Sequence, residues 1–273
     1  MRLGRIPYVN CLPIYGAMDR GLVPVEAELI SGTAADLNDL LAAGALQVSV
    51  VSAVEYARNA AAYHLLPDLA ISCDGPVHSV MLFSRRPPEA LDDVPVLLSS
   101  SSRTSVLLLE LLCRHRWRVS PRFATVRAEA VDLAELQGLP HEAVLVIGDA
   151  ALHLAARAQY AHAVDLGAAW QAWTGLPFVF AVWAARRDAD QAAAARIHRA
   201  LLRSREWGLA HLDELADVAA AATGIARSTC RAYLGDLDYA LSYRHLAGLT
   251  DFFRRLAQDG RVPDGSLSFL SAA

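Results

Sequence analysis

A strand that stops at a polar turn and hands over to a helix occurs three times in the first sixty residues, and this repeat leaves few folds open. Leu3–Ile6 reads as a strand that Pro7 ends, because proline has no N–H for a ladder. Asn10 follows at a cap position, ahead of Pro13, Tyr15 and Met18 in helical rhythm. Val25–Ile30 is a second strand, ending at Ser31-Gly32-Thr33 before a helix over Ala34–Ala43 with Gly44 as its stop. Val48–Val51 is a third, ending at Ser52 before a helix over Val54–Ala62. Such alternation calls for an α/β fold with a parallel sheet, and ligands of such sheets bind at the carboxyl ends of the strands. Asn10, Ser31, Gly32, Thr33 and Ser52 are placed there, although capping a helix is the plainer role for Asn10.

Leu69–Cys73 and Val77–Phe83 read as two more strands, split by Asp74-Gly75-Pro76, with Ser79 inside the second. The polar, proline-stiffened Ser84-Arg85-Arg86-Pro87-Pro88 marks a domain crossing. A new α/β block follows, with strands at Val94–Leu98, Arg122–Val126 and Ala143–Ile147 and helices at Val106–His115 and Asp132–Gln137. Gly148-Asp149-Ala150 opens another helix, and Val164–Gly167 with the helix holding Trp170 and Trp173 closes the block. Thr174-Gly175-Leu176-Pro177 is the second crossing; Phe178–Ala185 returns as a strand, and an alanine-rich helical region begins at Asp188. Two crossings predict a discontinuous larger lobe, 1–84 plus 178–273, and an inserted lobe, 85–177, in a hinged clamshell with the ligand cleft between them.

The 273 residues contain no lysine, so every fixed side-chain cation is arginine. Schiff-base chemistry, lysine-anchored pyridoxal phosphate and the Walker-type loop all need an amine at a set place and are excluded. No GxGxxG follows a strand. The four cysteines and nine histidines are scattered without zinc spacing, so no structural metal is expected. A net charge of −4 with no basic stripe makes nucleic acid a poor partner, and no apolar run reaches membrane-spanning length. The first residues carry no leader pattern, which with the scattered thiols predicts a cytoplasmic location.

The expected lining is therefore hydroxyls, amides and glycines at strand ends and helix starts: Asn10, Ser31, Gly32, Ser52, Ser79, Ser100, Ser102, Thr104, Ser105, Gly148, Asp149 and Thr174. Free N–H groups at a helix start attract anions, by about 0.3–1 kcal/mol each and up to about 2 when partly buried. In a molecule that is negative overall, the attraction must be local. A small carboxylate is the inferred ligand. Plainer roles stand beside this: Asp149 as a cap, the tryptophans as packing, Arg103 turned to solvent, and His78 set opposite Ser79 by strand alternation.

Seven segments carry a resemblance: Ile6–Asn10, Ala34–Asn38, Ser52–Asn59, Ser79–Ser84, Arg103–Ser105, Ile147–Leu152 and Trp173–Phe178. In order, over about residues 2–185, they resemble the motifs of the chorismate dehydratases of the futalosine route to menaquinone. The resemblance implies a periplasmic-binding-protein type II-like clamshell whose lobes are mixed, mostly parallel sheets flanked by helices. It implies a hydro-lyase that turns chorismate into 3-[(1-carboxyvinyl)oxy]benzoate with no cofactor. Carried onto this chain, Asn10 and Ser79 are its functional positions, Pro7 and Tyr8 join the substrate-binding set, and the substrate's own carboxylate or Asp149 is the base. A homodimer is compatible with it. The alternatives are a cytosolic solute-binding or sensor protein for an organic acid, and the sister dihydroxynaphthoate synthase, whose opening segment lacks the Pro-Tyr-x-Asn start.

Overall fold

A computed structural model of the chain describes residues 1–100, 102–126 and 138–271. The expected helix at 132–137 lies outside the described residues. The chain forms two compact units, Met1–Ser72 with Val179–Ala273, and Cys73–Phe178.

The first unit is built on strands β1 (Arg2–Arg5), β2 (Glu28–Ser31), β3 (Val48–Ser52) and β4 (Tyr63–Cys73), alternating with helices α1 (Leu12–Asp19), α2 (Ala34–Ala42) and α3 (Ala53–Asn59). A later strand, Phe178–Arg186, inserts between β3 and β4, antiparallel to β3 with Ala181 opposite Ser52 and Ala185 opposite Val48. β1 runs parallel to both β2 and β3. Arg5, Ser31 and Ser52 thus end on one edge of the sheet, and Arg186 on the opposite one. Tyr15 pins α1 to this sheet: its buried hydroxyl donates to the Gly4 carbonyl (3.0 Å) and accepts from Trp183 Nε1 (3.1 Å). Burial pushes that phenol's pKa well above its ordinary value.

β4 is longer than the sequence indicated, because it runs through Pro67. It is the edge strand of the sheet, where a missing N–H breaks no ladder, and Asp68 there takes a positive φ of 54°.

The second unit holds strands β5 (Val80–Ser84), β6 (Pro95–Ser99), β7 (Arg122–Val126), β8 (Ala143–Ile147) and β9 (His162–Asp165), ordered β7-β6-β8-β5-β9. Helices α4 (Arg103–Leu111), α5 (Asp149–Arg157) and α6 (Leu166–Thr174) flank them. Period-two alternation is plain in its core: Met81 and Phe83 of β5, Leu97 of β6 and Val144 and Val146 of β8 pack with Ala150, Ala151 and Leu154 of α5.

Two expectations are corrected here. The first crossing lies at Ser72-Cys73, not after Ser84, because β5 pairs with β8 and β9 and so belongs to the second unit. The polar Ser84–Pro88 segment is a turn within that unit, held by the Arg85 N–H on the Glu142 carbonyl (2.9 Å) and by an Arg86–Glu142 ion pair. Ser79 is not inside a strand: β5 begins at Val80, and His78 before it has a φ of 61°, so strand alternation does not set their directions.

Strand β10 is the returning Phe178–Arg186, and helices α7 (Gln191–Ala210), α8 (Leu212–Thr223), α9 (Arg227–Asp236) and α10 (Tyr243–Gln258) complete the first unit. No helix among the described residues is long and apolar enough to cross a membrane.

Candidate functional site

On the first unit, the loop Ile6–Cys11 leaves the carboxyl end of β1 and enters α1 through a single 3-10 turn, Val9–Cys11. The Arg5 guanidinium grips both carboxylate oxygens of Asp19 (2.5 and 2.7 Å), tying the strand before the loop to the helix after it. Asn10 is not the cap the sequence suggested. Cys11 holds the N-cap position of α1, and no side chain caps either helix start. Instead Asn10 Oδ1 is buried with no hydrogen-bond partner. A buried amide oxygen without a donor costs roughly 1–3 kcal/mol, so this arrangement is not one that packing alone favours.

The neighbouring turns are more fully engaged. Thr33 caps α2 in a reciprocal box with Asp36, and the Gly32 N–H donates to the Arg5 carbonyl (3.2 Å). Ser31 ends β2 on the exposed side, beside an exposed Pro7 and a half-buried Tyr8. Ser52 is buried and caps α3, its hydroxyl accepting from the Glu55 N–H (3.2 Å). Asn38, to which no role was assigned from the residues alone, is the side chain under Ser52. It donates to Ser52 Oγ (3.2 Å) and accepts from the Ser52 N–H (3.1 Å), itself 1% exposed. Asn38→Ala leaves a buried N–H without an acceptor, and is expected to lower unfolding free energy by about 2 kcal/mol. Urea denaturation checks this, and an unchanged midpoint would show that water replaces the amide.

On the second unit, β6 and β8 run parallel and β5 runs antiparallel to β8, so Ser79, Ser100 and Gly148 share one edge. Ser79 and Gly148 are in direct contact, the Gly148 N–H donating to the Ser79 carbonyl at 2.7 Å. Gly148 has a φ of 63°, a conformation glycine adopts without cost, and it swings the chain from β8 into α5 with Asp149 in the first turn. Ser102 caps α4 and donates to Ser105 Oγ (2.8 Å), while Thr104 and Ser105 are buried. Ser101 lies outside the described residues. Thr174 is at the C-terminal end of α6, not at a helix start, and its hydroxyl is engaged by the Trp170 carbonyl (2.9 Å) and the Leu176 N–H (3.2 Å).

Asp165 holds the Ser79 segment in place, and the sequence did not reveal it. Its carboxylate accepts from the Val77 N–H (2.9 Å), the His78 N–H (2.7 Å) and the Ala168 N–H (3.0 Å), so one side chain both caps α6 and clamps the loop. The clamp stabilises a left-handed His78, a conformation that costs a non-glycine residue of order 1 kcal/mol. Gly167 permits the close approach: a Cβ there would sit 2.5 Å from Cys73 Sγ and 2.7 Å from the Gly75 carbonyl. Ser79 itself is buried, with only a long 3.4 Å contact from its hydroxyl to the Val77 carbonyl. A cap signal before α6 was legible in the sequence; the 88-residue reach back to Val77 was not.

Each edge thus offers neutral donors and acceptors. Among the described residues no cluster of three or more His, Cys, Asp or Glu side chains has the spacing of a metal site.

A family model described as menaquinone biosynthesis matches residues 1–258. A chorismate dehydratase of Thermus thermophilus is 32% identical over 268 residues, covering 92% of this chain and 95% of that protein. A 1,4-dihydroxy-6-naphtoate synthase of the same organism is 28% identical over 222 residues, 80% of this chain and 77% of that protein. Among solved structures, a protein from Archaeoglobus fulgidus overlays with a TM-score of 0.80 at 19% identity, covering 96% of this chain and 98% of its own. The periplasmic aliphatic sulphonate binding protein of Escherichia coli overlays with a TM-score of 0.66 at 13% identity, with 97% and 94% covered. At these identities the overlays show the fold, a periplasmic-binding-protein-like α/β architecture.

Proposed function

Because the chain belongs to the menaquinone biosynthesis family, we propose that it dehydrates chorismate to 3-[(1-carboxyvinyl)oxy]benzoate. The observation that carries this reading to particular atoms is the partnerless, buried Asn10 Oδ1 at the carboxyl end of β1. Chorismate carries a ring hydroxyl and a ring hydrogen on adjacent carbons, and two carboxylates. Losing water breaks the C–O bond and the C–H bond and leaves an aromatic ring, so the driving force resides in the substrate. The protein's task is to orient the ring, receive or relay one proton and ease the departure of hydroxide.

Asn10 suits the last of these. Its buried oxygen accepts a hydrogen bond from the ring hydroxyl, which leaves with its proton as hydroxide, and its amide N–H groups stabilise the charge that builds on the departing oxygen. Ser79, on a loop clamped into one conformation, positions the substrate. The start of α4, with Ser100, Ser102, Thr104 and Ser105, holds a carboxylate without the desolvation cost of a buried cation. The substrate's enolpyruvyl carboxylate takes the ring proton, with Asp149 at the start of α5 as the alternative base. Pro7, Tyr8, Ser31, Gly32, Ser52, Gly148 and Thr174 complete the proposed binding set. A cytoplasmic location belongs to the same reading, supported by four buried cysteines that are all free thiols.

Incubating the purified protein with chorismate tests the proposal. The expected result is growth of aromatic absorbance with a product one water lighter by mass. Saturable binding with no turnover would favour an organic-acid sensor instead, and turnover only of the sister enzyme's substrate would favour the naphthoate synthase reading.

A further inference from the structure

The Ser52–Asn59 segment stood out in the sequence, yet only Ser52 of it takes part in the proposed reaction. Tyr56, Ala57 and Arg58 of it line a concavity elsewhere in the first unit. Between α3, α10 and the chain after α10 lies a cavity of about 550 Å³, bordered by Tyr56, Phe253, Arg254, Asp264 and Ser266. It adjoins a recess of about 310 Å³ to which Arg58 and Arg187 contribute. The two share Ala57, Ala60 and the stretch 263–266. Their sizes fall in the range of small-ligand sites, about 300–1,000 Å³.

The location separates this space from the candidate site. α3 starts at Ser52, on the edge that carries Asn10, and runs back along the sheet to Asn59. Arg187 follows β10, which is antiparallel to β3 and leaves the sheet opposite the start of β3. The recess therefore lies at the opposite edge of the first sheet from Asn10, about one strand length away, on the order of 15 Å.

The chemistry of the walls is specific. The half-buried Phe253 ring stacks on the buried Tyr56 ring, with centroids 6.4 Å apart and planes at 20°. The Tyr56 hydroxyl already accepts from the Ser268 N–H (2.9 Å), so this wall is apolar. Arg254 pairs with Asp251. Arg58 and Arg187 are exposed, and neither guanidinium has a carboxylate partner among the described residues, unlike Arg2, Arg5, Arg86, Arg186, Arg196, Arg205 and Arg227. With Asp264 as the acid in the lining and Asp251 shared between Arg254 and Arg255, these groups leave a net positive charge beside an aromatic wall.

We propose that this concavity is a second ligand site, which takes an aromatic monocarboxylate with its ring against Phe253 and its carboxylate between Arg58 and Arg187. The site is independent of the chemistry assigned to Asn10 and Ser79.

Fluorescence titration with 2-naphthoate tests it, with 2-naphthylmethylamine as the oppositely charged control. Saturable binding of the acid, but not the amine, is expected, equally in the unaltered protein and in Asn10→Ala. The double variant Arg58→Gln/Arg187→Gln is expected to weaken binding at least tenfold while chorismate turnover and melting temperature hold, because both side chains are exposed and unpaired. Asp264→Asn, which removes the one opposing charge, should tighten binding about threefold. Equal binding of the amine, an unchanged affinity in the arginine variant, no tightening in Asp264→Asn, or loss of the site in Asn10→Ala would each overturn the assignment.

Discussion

Asn10→Ala is expected to fold normally and to lose chorismate turnover by about two to three orders of magnitude, the cost of removing one well-placed donor to a developing oxyanion. The two halves of this expectation have separate physical grounds. Stability should hold because the amide oxygen makes no internal hydrogen bond, so truncation breaks none and removes a desolvated acceptor. Turnover should fall because charge builds on the departing oxygen only as the C–O bond breaks. An interaction strongest at that moment appears in kcat rather than in KM. A melting temperature within a few degrees of the unaltered protein, together with a collapsed kcat, is the expected signature. Near-normal kcat would remove Asn10 from the mechanism, and a large loss of stability would return it to a structural role.

Asp165→Ala should produce the second large effect, on both stability and rate. Three backbone N–H groups lose a charged acceptor, and the left-handed His78 loses its clamp. At roughly 1–3 kcal/mol for each unsatisfied donor, softened because the site is only partly buried, the loss is about 3 kcal/mol. In a chain of this size that lowers the melting temperature by on the order of 6–10 °C. Kinetics run well below the new melting temperature then report on Ser79 alone. A displacement of about 1 Å in a positioning group costs on the order of a hundredfold in rate. Asp165→Asn separates the roles: its amide retains one acceptor oxygen for the α6 cap but turns a donor toward Val77 and His78. If Asp165→Asn kept the cap's stability and full turnover together, the clamp would have no part in placing Ser79.

The strand–helix alternation was readable because it is local. The apolar run Ala143–Ile147 and the strand-like Arg122–Val126 coincide with β8 and β7, and Thr33 caps α2 as its neighbours in sequence require. The readings that failed were those in which a distant partner decided the outcome. Ser84–Pro88 has the composition of a linker but is a turn, since β5 finds its partners in β8 and β9 some sixty residues or more downstream. Val77–Phe83 has a strand's residues, yet Asp165 takes the Val77 and His78 N–H groups and β5 starts later.

The order of residues alone determined the α/β class, the absence of any lysine-based chemistry, and the placing of hydroxyls and amides at strand ends. Tertiary structure decided which of those polar groups are already engaged. Ser52 is held by Asn38, Ser102 by Ser105 and Thr174 by its own helix end, while Asn10 keeps a buried acceptor with no donor. The reason is that a hydrogen bond is satisfied by proximity in space, and the side chains that approach each turn come from elsewhere in the chain.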